Sequence, residues 1–419
     1  MGAVFLSLLR MTIPVSVVFR GLMTEQPSCS ARLLLIACTI AFLCFLGSYL
    51  RIPIVPLFAA SLGADAAEVG LINSGFMCMA GLLSIPSGLL SDRIGRRRPL
   101  LVGLLLLAGS SLLLAMSRTA LEMGAIYLVF GIGLAAVTPT LMSYVADITP
   151  PEAMGRAFGS YTMALYSGMT LGPAVGGYLG GLLGLRPVFV CSGGLILLMF
   201  VATLRFLPEP PGKSDKGRDP RFFRTALINL GHNRRLIACL VMTVGGCIGF
   251  GMFISFMPLY IHGLGLPTTA VGLVCALQAL ANALARIPAG RLCDRVDDRR
   301  FPVFWGMTMF SLAMACFGLC TNLVQLLFAA VGMGLSMGLA FTVIYALIVD
   351  AVPTGMRGLA MGCYNTCVYL GMMLSAIGMG VVIREYGFQV GFLLTGGSIL
   401  AALILFAVLY GPGKREVRD

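Results

Sequence analysis

The 419-residue sequence is short of charge: Asp, Glu, Lys and Arg together make up 11% of it, against about 25% in soluble domains. Histidine occurs only as His232 and His262, and tryptophan once. So few charges cannot clothe a water-facing surface of ordinary area, and a soluble globular fold is excluded. No G-x-x-x-x-G-K-[ST] loop occurs, so direct drive by ATP has no support. None of the seventeen acids sits in the middle of an apolar run; each lies in a loop, in a tail or near a run's end, as Glu122, Asp147, Asp294 and Asp350 do. Without a nucleophile, base and acid together at membrane depth, an intramembrane enzyme is a poor third reading. The thirteen cysteines lie mostly inside apolar runs, as in the pairs Cys316/Cys320 and Cys363/Cys367, without the flanking ligands of a zinc site. They read as small buried residues, and neither metal nor cofactor is expected.

What is present is hydrophobic length. Residues of the apolar class make up 58% of the chain, and about twelve runs fall near 33–60, 69–91, 99–117, 122–147, 155–184, 187–207, 236–262, 268–293, 301–320, 322–350, 358–384 and 388–411. A membrane-spanning helix needs about 20 predominantly apolar residues, so the fold class is all-α integral membrane. One long polar stretch, 208–235, divides the chain into six runs, 33–207, and six more, 236–411, followed by a tail at 412–419. Residues 1–32 form a leader. Its first 22 residues are broken by Arg10, Pro14 and Arg20 and read either as an interfacial helix or as an artefact of start-site choice, since Met23 opens a second polar leader.

The formal net charge of +12 would suit nucleic acid on a soluble face, but the basic residues sit between apolar runs and read as topology signals instead. Alternate loops plus the tail hold Arg93, Arg96, Arg97, Arg98, Arg156, the basic residues of 213–235, Arg291, Arg295, Arg299, Arg300, Arg357, Lys414, Arg415 and Arg418. The other side holds Arg118, Arg186 and Arg384, with Arg51 inside the first run. By the positive-inside rule the rich side and both termini are cytoplasmic.

The halves are copies. Pairing residue n with n+202 matches Pro56, Gly63, Gly70, Pro86, Gly88, Asp92 and Arg93, among others, with Pro258, Gly265, Gly272, Pro288, Gly290, Asp294 and Arg295. Farther on, Asp147 to Pro150 resembles Asp350 to Pro353 at a shift of 203. Two six-helix units about a pseudo-two-fold axis along the membrane normal follow from that repeat.

The strongest local pattern is GLLSDRIGRRR, residues 88–98, echoed by GRLCDRVDDRR, residues 290–300. Gly88, Asp92, Arg93, Gly95, Arg96 and Arg97, with Leu90, match the loop motif G-x-L-x-D-R-x-G-R-R, and the chain from about residue 33 to 411 resembles the major facilitator superfamily. The resemblance implies a gate latch: this loop holds the two halves together on the cytoplasmic side when the carrier faces outward, with Asp147 as partner of the arginines. Gly290, Asp294, Arg295 and Asp350 are the second copy, expected to be weaker or differently paired because Asp297 and Asp298 replace Gly95 and Arg96.

In the fifth run Gly159, Gly168, Gly172, Pro173, Gly176 and Gly177 fit G-x8-G-x3-G-P-x2-G-G. Small residues at these spacings let backbones approach closely. In the family this pattern implies an exporter that exchanges solute for protons. Against that stands Tyr127, four residues before Gly131, where many such relatives carry an arginine.

Two arginines lie within runs, and intramembrane charge is a functional candidate by default. Arg286 lies about eight residues, roughly 12 Å, from the cytoplasmic end of its run. Gln278, Asn282 and Arg286 recur at four-residue intervals, one polar stripe that lipid would not tolerate. Arg51 and Arg286, one from each half, are candidates to bind an anionic group together; the alternative has Arg51 snorkelling to the surface and Arg286 bonding backbone. Asn73, Tyr127, Tyr144, Tyr161, Tyr166, Tyr364 and Asn365 are further polar candidates.

The expectation is therefore a monomeric secondary carrier in a bacterial inner membrane, exporting small organic solutes by alternating access, with protons as the coupling ion implied by the resemblance and no nucleic-acid partner. The rivals are an organic-anion exchanger or facilitator using Arg51 and Arg286, and a sensor that binds solute without moving it.

Overall fold

A computed structural model describes residues 29–150, 153–210, 230–296, 298–353 and 357–411. The expected leader up to residue 28, most of the polar stretch 208–235 and the tail beyond 411 lie outside these residues, as does Asp297. Among the described residues there are helices and no strands: α1 Cys29–Leu50, α2 Ile54–Ser61, α3 Ala66–Ile94, α4 Arg97–Met116, α5 Ala120–Ile148, α6 Met154–Leu183, α7 Leu185–Phe206, α8 Arg234–Gly263, α9 Thr268–Arg295, α10 Arg300–Phe317, α11 Leu323–Asp350 and α12 Arg357–Tyr410.

The first run is broken where Pro53 follows Arg51: the Ile54 amide donates to the Arg51 carbonyl three residues back, a tightened turn, so α1 and α2 make one pass with a step in it. The last two runs are joined without a loop in α12, which breaks at Gly387 with φ 85°. Its counterpart in the first half is Gly184, φ 87°, between α6 and α7. A residue with a Cβ is strained at such a φ, so the repeat extends to backbone conformation and not only to side chains. Ten described helical stretches are long and apolar enough to cross a membrane, and one of them, 359–410, holds both passes of α12. At 30 residues α6 matches them in length but not in apolarity, because Gly, Ser, Thr and Tyr take positions along it. With α6 and both parts of α12 counted, the twelve expected passes are present.

Helix starts follow ordinary chemistry. Asp65 accepts from the Glu68 amide while Glu68 accepts from the Asp65 amide, a capping box at α3. Asn233 and Asn322 cap α8 and α11 through their side-chain oxygens.

The six passes before the polar stretch and the six after it pack chiefly among themselves, and two main seams join them. Along α3 and α12, Gly380 brings its backbone to Ala66 and Ala67, and Arg384 Nη1 reaches Asp65 Oδ2 at 3.7 Å. Along α6 and α9, a Cβ added at Gly272 would stand 2.9 Å from the Ala174 carbonyl oxygen and 3.0 Å from Gly177 Cα. All these contacts lie at the end away from the arginine-rich loops. Toward the basic end, a Cβ added at Gly159, Gly290 or Gly362 would meet no described atom within 4 Å. The closest described contacts between the halves thus lie at the end away from the basic loops.

Candidate functional site

Between the halves lies a cavity of about 190 Å³. Its walls come from α1 (Tyr49), the step before α2 (Ile52, Pro53), α6 (Tyr166, Met169, Thr170, Pro173), α8 (Phe250, Phe253, Ile254, Pro258), α9 (Cys275, Gln278, Ala279, Asn282, Ala283, Arg286) and α11 (Met337). The lining is mostly apolar and aromatic, with a few convergent polar groups, the usual composition of an organic-molecule site.

The sequence stripe is brought together here. Arg286 Nε donates to Asn282 Oδ1 at 3.0 Å, and Gln278 Nε2 approaches Met337 Sδ at 3.7 Å. The Arg286 guanidinium carbon stands 4.9 Å from the ring centroid of Tyr166 on α6, so a cation of the second half lies over an aromatic of the first. Tyr166 is 47% exposed.

Arg51 is not brought to Arg286. It is wholly buried inside the first half, where Nη1 donates to Ser111 Oγ at 2.8 Å and its guanidinium carbon lies 3.4 Å from the Phe130 ring centroid and 5.7 Å from that of Tyr127. Neither arginine alternative of the sequence holds in this geometry: Arg51 neither snorkels nor lines the cavity. The step at residues 51–53 turns it inward. Tyr127 is likewise wholly buried, edge-on to Phe76 at 5.2 Å, and Asn365 is exposed outside the cavity lining. Tyr144 donates to the Pro208 carbonyl at 2.9 Å, and the Tyr364 ring meets Tyr345 at 6.1 Å. Asn73 and Tyr161 are buried.

The fifth-run glycines divide by face. Gly168, Gly172 and Gly176, four residues apart, lie against the backbone of α1 from Phe42 to Leu50, while Gly177 lies against Gly272 of the other half. Pro173 turns to the cavity, and Gly159 has no close neighbour.

At the basic end Arg96, N-cap of α4, is held by acids of its own half: Nε donates to Asp147 Oδ2 at 2.7 Å, and Nη1 to Asp92 Oδ1 and to Ser91 Oγ at 2.9 Å. Burial works against its charge, but the hydrogen bonds and charges of Asp147 and Asp92 outweigh it and move its pKa up. Glu209, past α7, accepts from the Arg96 and Arg97 amides at 2.5 and 3.1 Å and so caps α4 with a carboxylate. Gly95, at φ 94°, makes room for it, since a Cβ there would stand 2.5 Å from Glu209 Oε1. Arg97 donates to the Leu204 carbonyl, Arg93 ends α3 in its last turn, and Gly88 faces Pro139 of α5.

In the second half the pairing differs. Arg299 bonds Asp350, and Asp298 takes Arg300 in a fork, with Nε at 2.8 Å and Nη2 at 2.6 Å. The side chains of Asp294 and Arg295 lie outside the described ones. Every described partner of either cluster belongs to its own half.

Sequence reasoning missed Ile52 and Ile254, which face each other's half across the cavity and are equivalent under the 202-residue shift. That shift was the signal for them. Glu209 was signalled only as an acid following the sixth run, beside the basic loop.

Comparison with known proteins agrees with this architecture. The family model described as Major Facilitator Superfamily matches residues 37–271 and 239–419. The chain is 26% identical over 341 residues, 81% of its length and 88% of the other's, to an uncharacterized MFS-type transporter, MJ1560, of Methanocaldococcus jannaschii. It is 25% identical to the multidrug resistance protein MdtG of Proteus mirabilis, covering 88% of this chain and 93% of that one. Identity is also 25% to the quinolone resistance protein NorA of Staphylococcus aureus, over 52% of this chain and 56% of that one. Among solved structures, a bacterial homolog of the human lysosomal transporter Spinster, inward-facing and unoccupied, superposes with a TM-score of 0.75 at 18% identity, covering 92% and 97% of the two chains. The nucleoside transporter NupG gives a TM-score of 0.74 at 15% identity over 91% of this chain and 100% of that one. On the family match, the repeat and the twelve passes, this chain belongs to the Major Facilitator Superfamily and is a multi-pass membrane protein.

Proposed function

We propose that the chain exports small organic solutes by alternating access, with the cavity between its halves as the solute site. The observation that carries this reading is the cavity itself: it takes its walls from both halves, and the closest described contacts between the halves lie at the end away from the basic loops. A rocking of one half on the other about the α3/α12 and α6/α9 seams would close the basic end and open the opposite one. By the positive-inside rule the basic end faces the cytoplasm and solute loads from there.

Export is supported by the glycine pattern of α6 and by the two relatives named for multidrug and quinolone resistance. NupG, named for nucleosides, shares the fold at an identity that says nothing of direction. The arginine clusters at the basic end are the groups that would rearrange on closing, Asp92, Arg96 and Asp147 in one half and Arg299 and Asp350 in the other. The test is flux: purified protein in proteoliposomes should move a labelled quinolone across the bilayer. Binding without flux would instead make it a sensor.

A further inference from the structure

Resting on that reading, we infer that the solute is an amphipathic organic anion and that the membrane potential alone can drive its export. Among the described residues the cavity lining carries one fixed charge. Arg286 is its cation, and the remaining lining residues that could ionise are Tyr49 of α1, Tyr166 of α6 and Cys275 of α9; α8 and α11 contribute none. Among the described residues no carboxylate or histidine lines it. The described acids lie at helix ends, and those with assigned partners are already held by arginines or backbone amides: Asp92 and Asp147 by Arg96, Glu209 by the start of α4, Asp350 by Arg299 and Asp298 by Arg300.

Arg286 spends one N–H on Asn282, and its other N–H groups have no protein acceptor among the described residues. A guanidinium in a cavity walled by Phe250, Phe253, Ile52 and Ile254 has few polar neighbours, and an entering anion can take charge-assisted hydrogen bonds from it. A cation entering would meet like charge. Asn282 and Gln278, on the same helix face, can donate to further oxygens of the anionic group. The aromatic and aliphatic remainder suits a ring system, with Tyr166 already stacked on the guanidinium.

The charge balance settles the drive. With no acid among the described lining residues, no proton need exchange at the site when solute binds or leaves. Net transport then moves one negative charge per cycle, and an inside-negative potential favours its exit by about 50-fold per 100 mV, which is about 2.3 kcal/mol. A carrier of this kind also runs in either orientation, because the field and not the protein sets the direction.

The experiment uses the full chain in proteoliposomes, a potassium diffusion potential set by valinomycin, and two permanently charged probes of similar size, labelled naphthalene-2-sulfonate and N-methylquinolinium. With the lumen positive, the sulfonate should accumulate toward 50-fold at 100 mV, and a pH gradient with the potential clamped at zero should give none. Arg286→Gln should abolish accumulation. Arg286→Lys, which keeps the charge, should retain part of it, and the same melting temperature in both variants shows that the loss is not misfolding. Movement of the quinolinium but not the sulfonate, or accumulation that follows the pH gradient, would overturn the inference. Quinolone flux without any sulfonate response would do so too, while leaving the exporter reading intact. If no probe moves under any gradient, both readings fall.

Discussion

Two arginines of similar appearance in the sequence have different environments, and their substitution should separate them. Arg51 is wholly buried and away from the cavity. Arg51→Ala should lower stability by about 2–5 kcal/mol through the void it leaves, while Arg51→Met, of similar length, should cost much less, and solute affinity should change little in either. Thermal unfolding in detergent and equilibrium binding read these two quantities. This burial was not legible in the sequence, because a run that is apolar on every side does not reveal which face turns inward, and the step at Pro53 decides it. The stripe of Gln278, Asn282 and Arg286 was legible for the opposite reason: three polar groups on one face leave lipid as an unacceptable neighbour. Asp147 and Asp350 are repeat partners that also differ. Arg96 side-chain exposure is 9% and that of Asp147 25%, against 30% and 55% for Arg299 and Asp350. Asp147→Asn is therefore expected to cost about 1–3 kcal/mol by stranding a buried guanidinium, and Asp350→Asn under about 1 kcal/mol, in chemical or thermal unfolding.

Among the elements, α6 is the one whose composition and position explain each other. Its low apolarity arises from the small residues that bring it against α1 and against α9, so the same glycines that weaken it as a hydrophobic run fit it as a hinge surface. Gly177→Val would place methyl groups on the Gly272 backbone and penalise the conformation in which this end is closed. The expected result is a shift of population toward the alternative state, read as faster labelling of a cysteine at Thr170 by an impermeant reagent from the end opposite the basic loops. Helix α10 offers a pH reading. The fork to Arg300 holds the Asp298 carboxyl below its ordinary value, so its contribution is present above about pH 4 and is lost as pH falls through the lowered pKa. Trp305, the single tryptophan, sits five residues into α10, and its fluorescence should stay level from pH 8 to 5 and change only below about pH 4. Helix number and approximate ends were legible from hydropathy. The joins at Gly184 and Gly387 were not, since both looked like short loops and are single left-handed residues between continuous helices.

At the scale of the molecule, the 202-residue repeat was the most informative feature of the sequence, and it reaches from paired prolines to paired left-handed glycines and to Ile52 and Ile254 in the cavity wall. It could not reveal which end of the cavity is open, because alternating access requires one sequence to hold both states at similar free energy. In this structure the seams close at Gly272 and Gly380, away from the basic loops. Whether the chain leaves this state is therefore the most direct question. Arg156 on α6 and Arg291 on α9 are exposed, near the basic ends of their helices, and on opposite halves. Spin labels at these two positions, measured by double electron–electron resonance in lipid nanodiscs, should give two distance populations, the shorter one growing when the basic end closes and the balance moving when solute is added. A single distance, unchanged by every solute and by Gly177→Val, would contradict a rocking carrier.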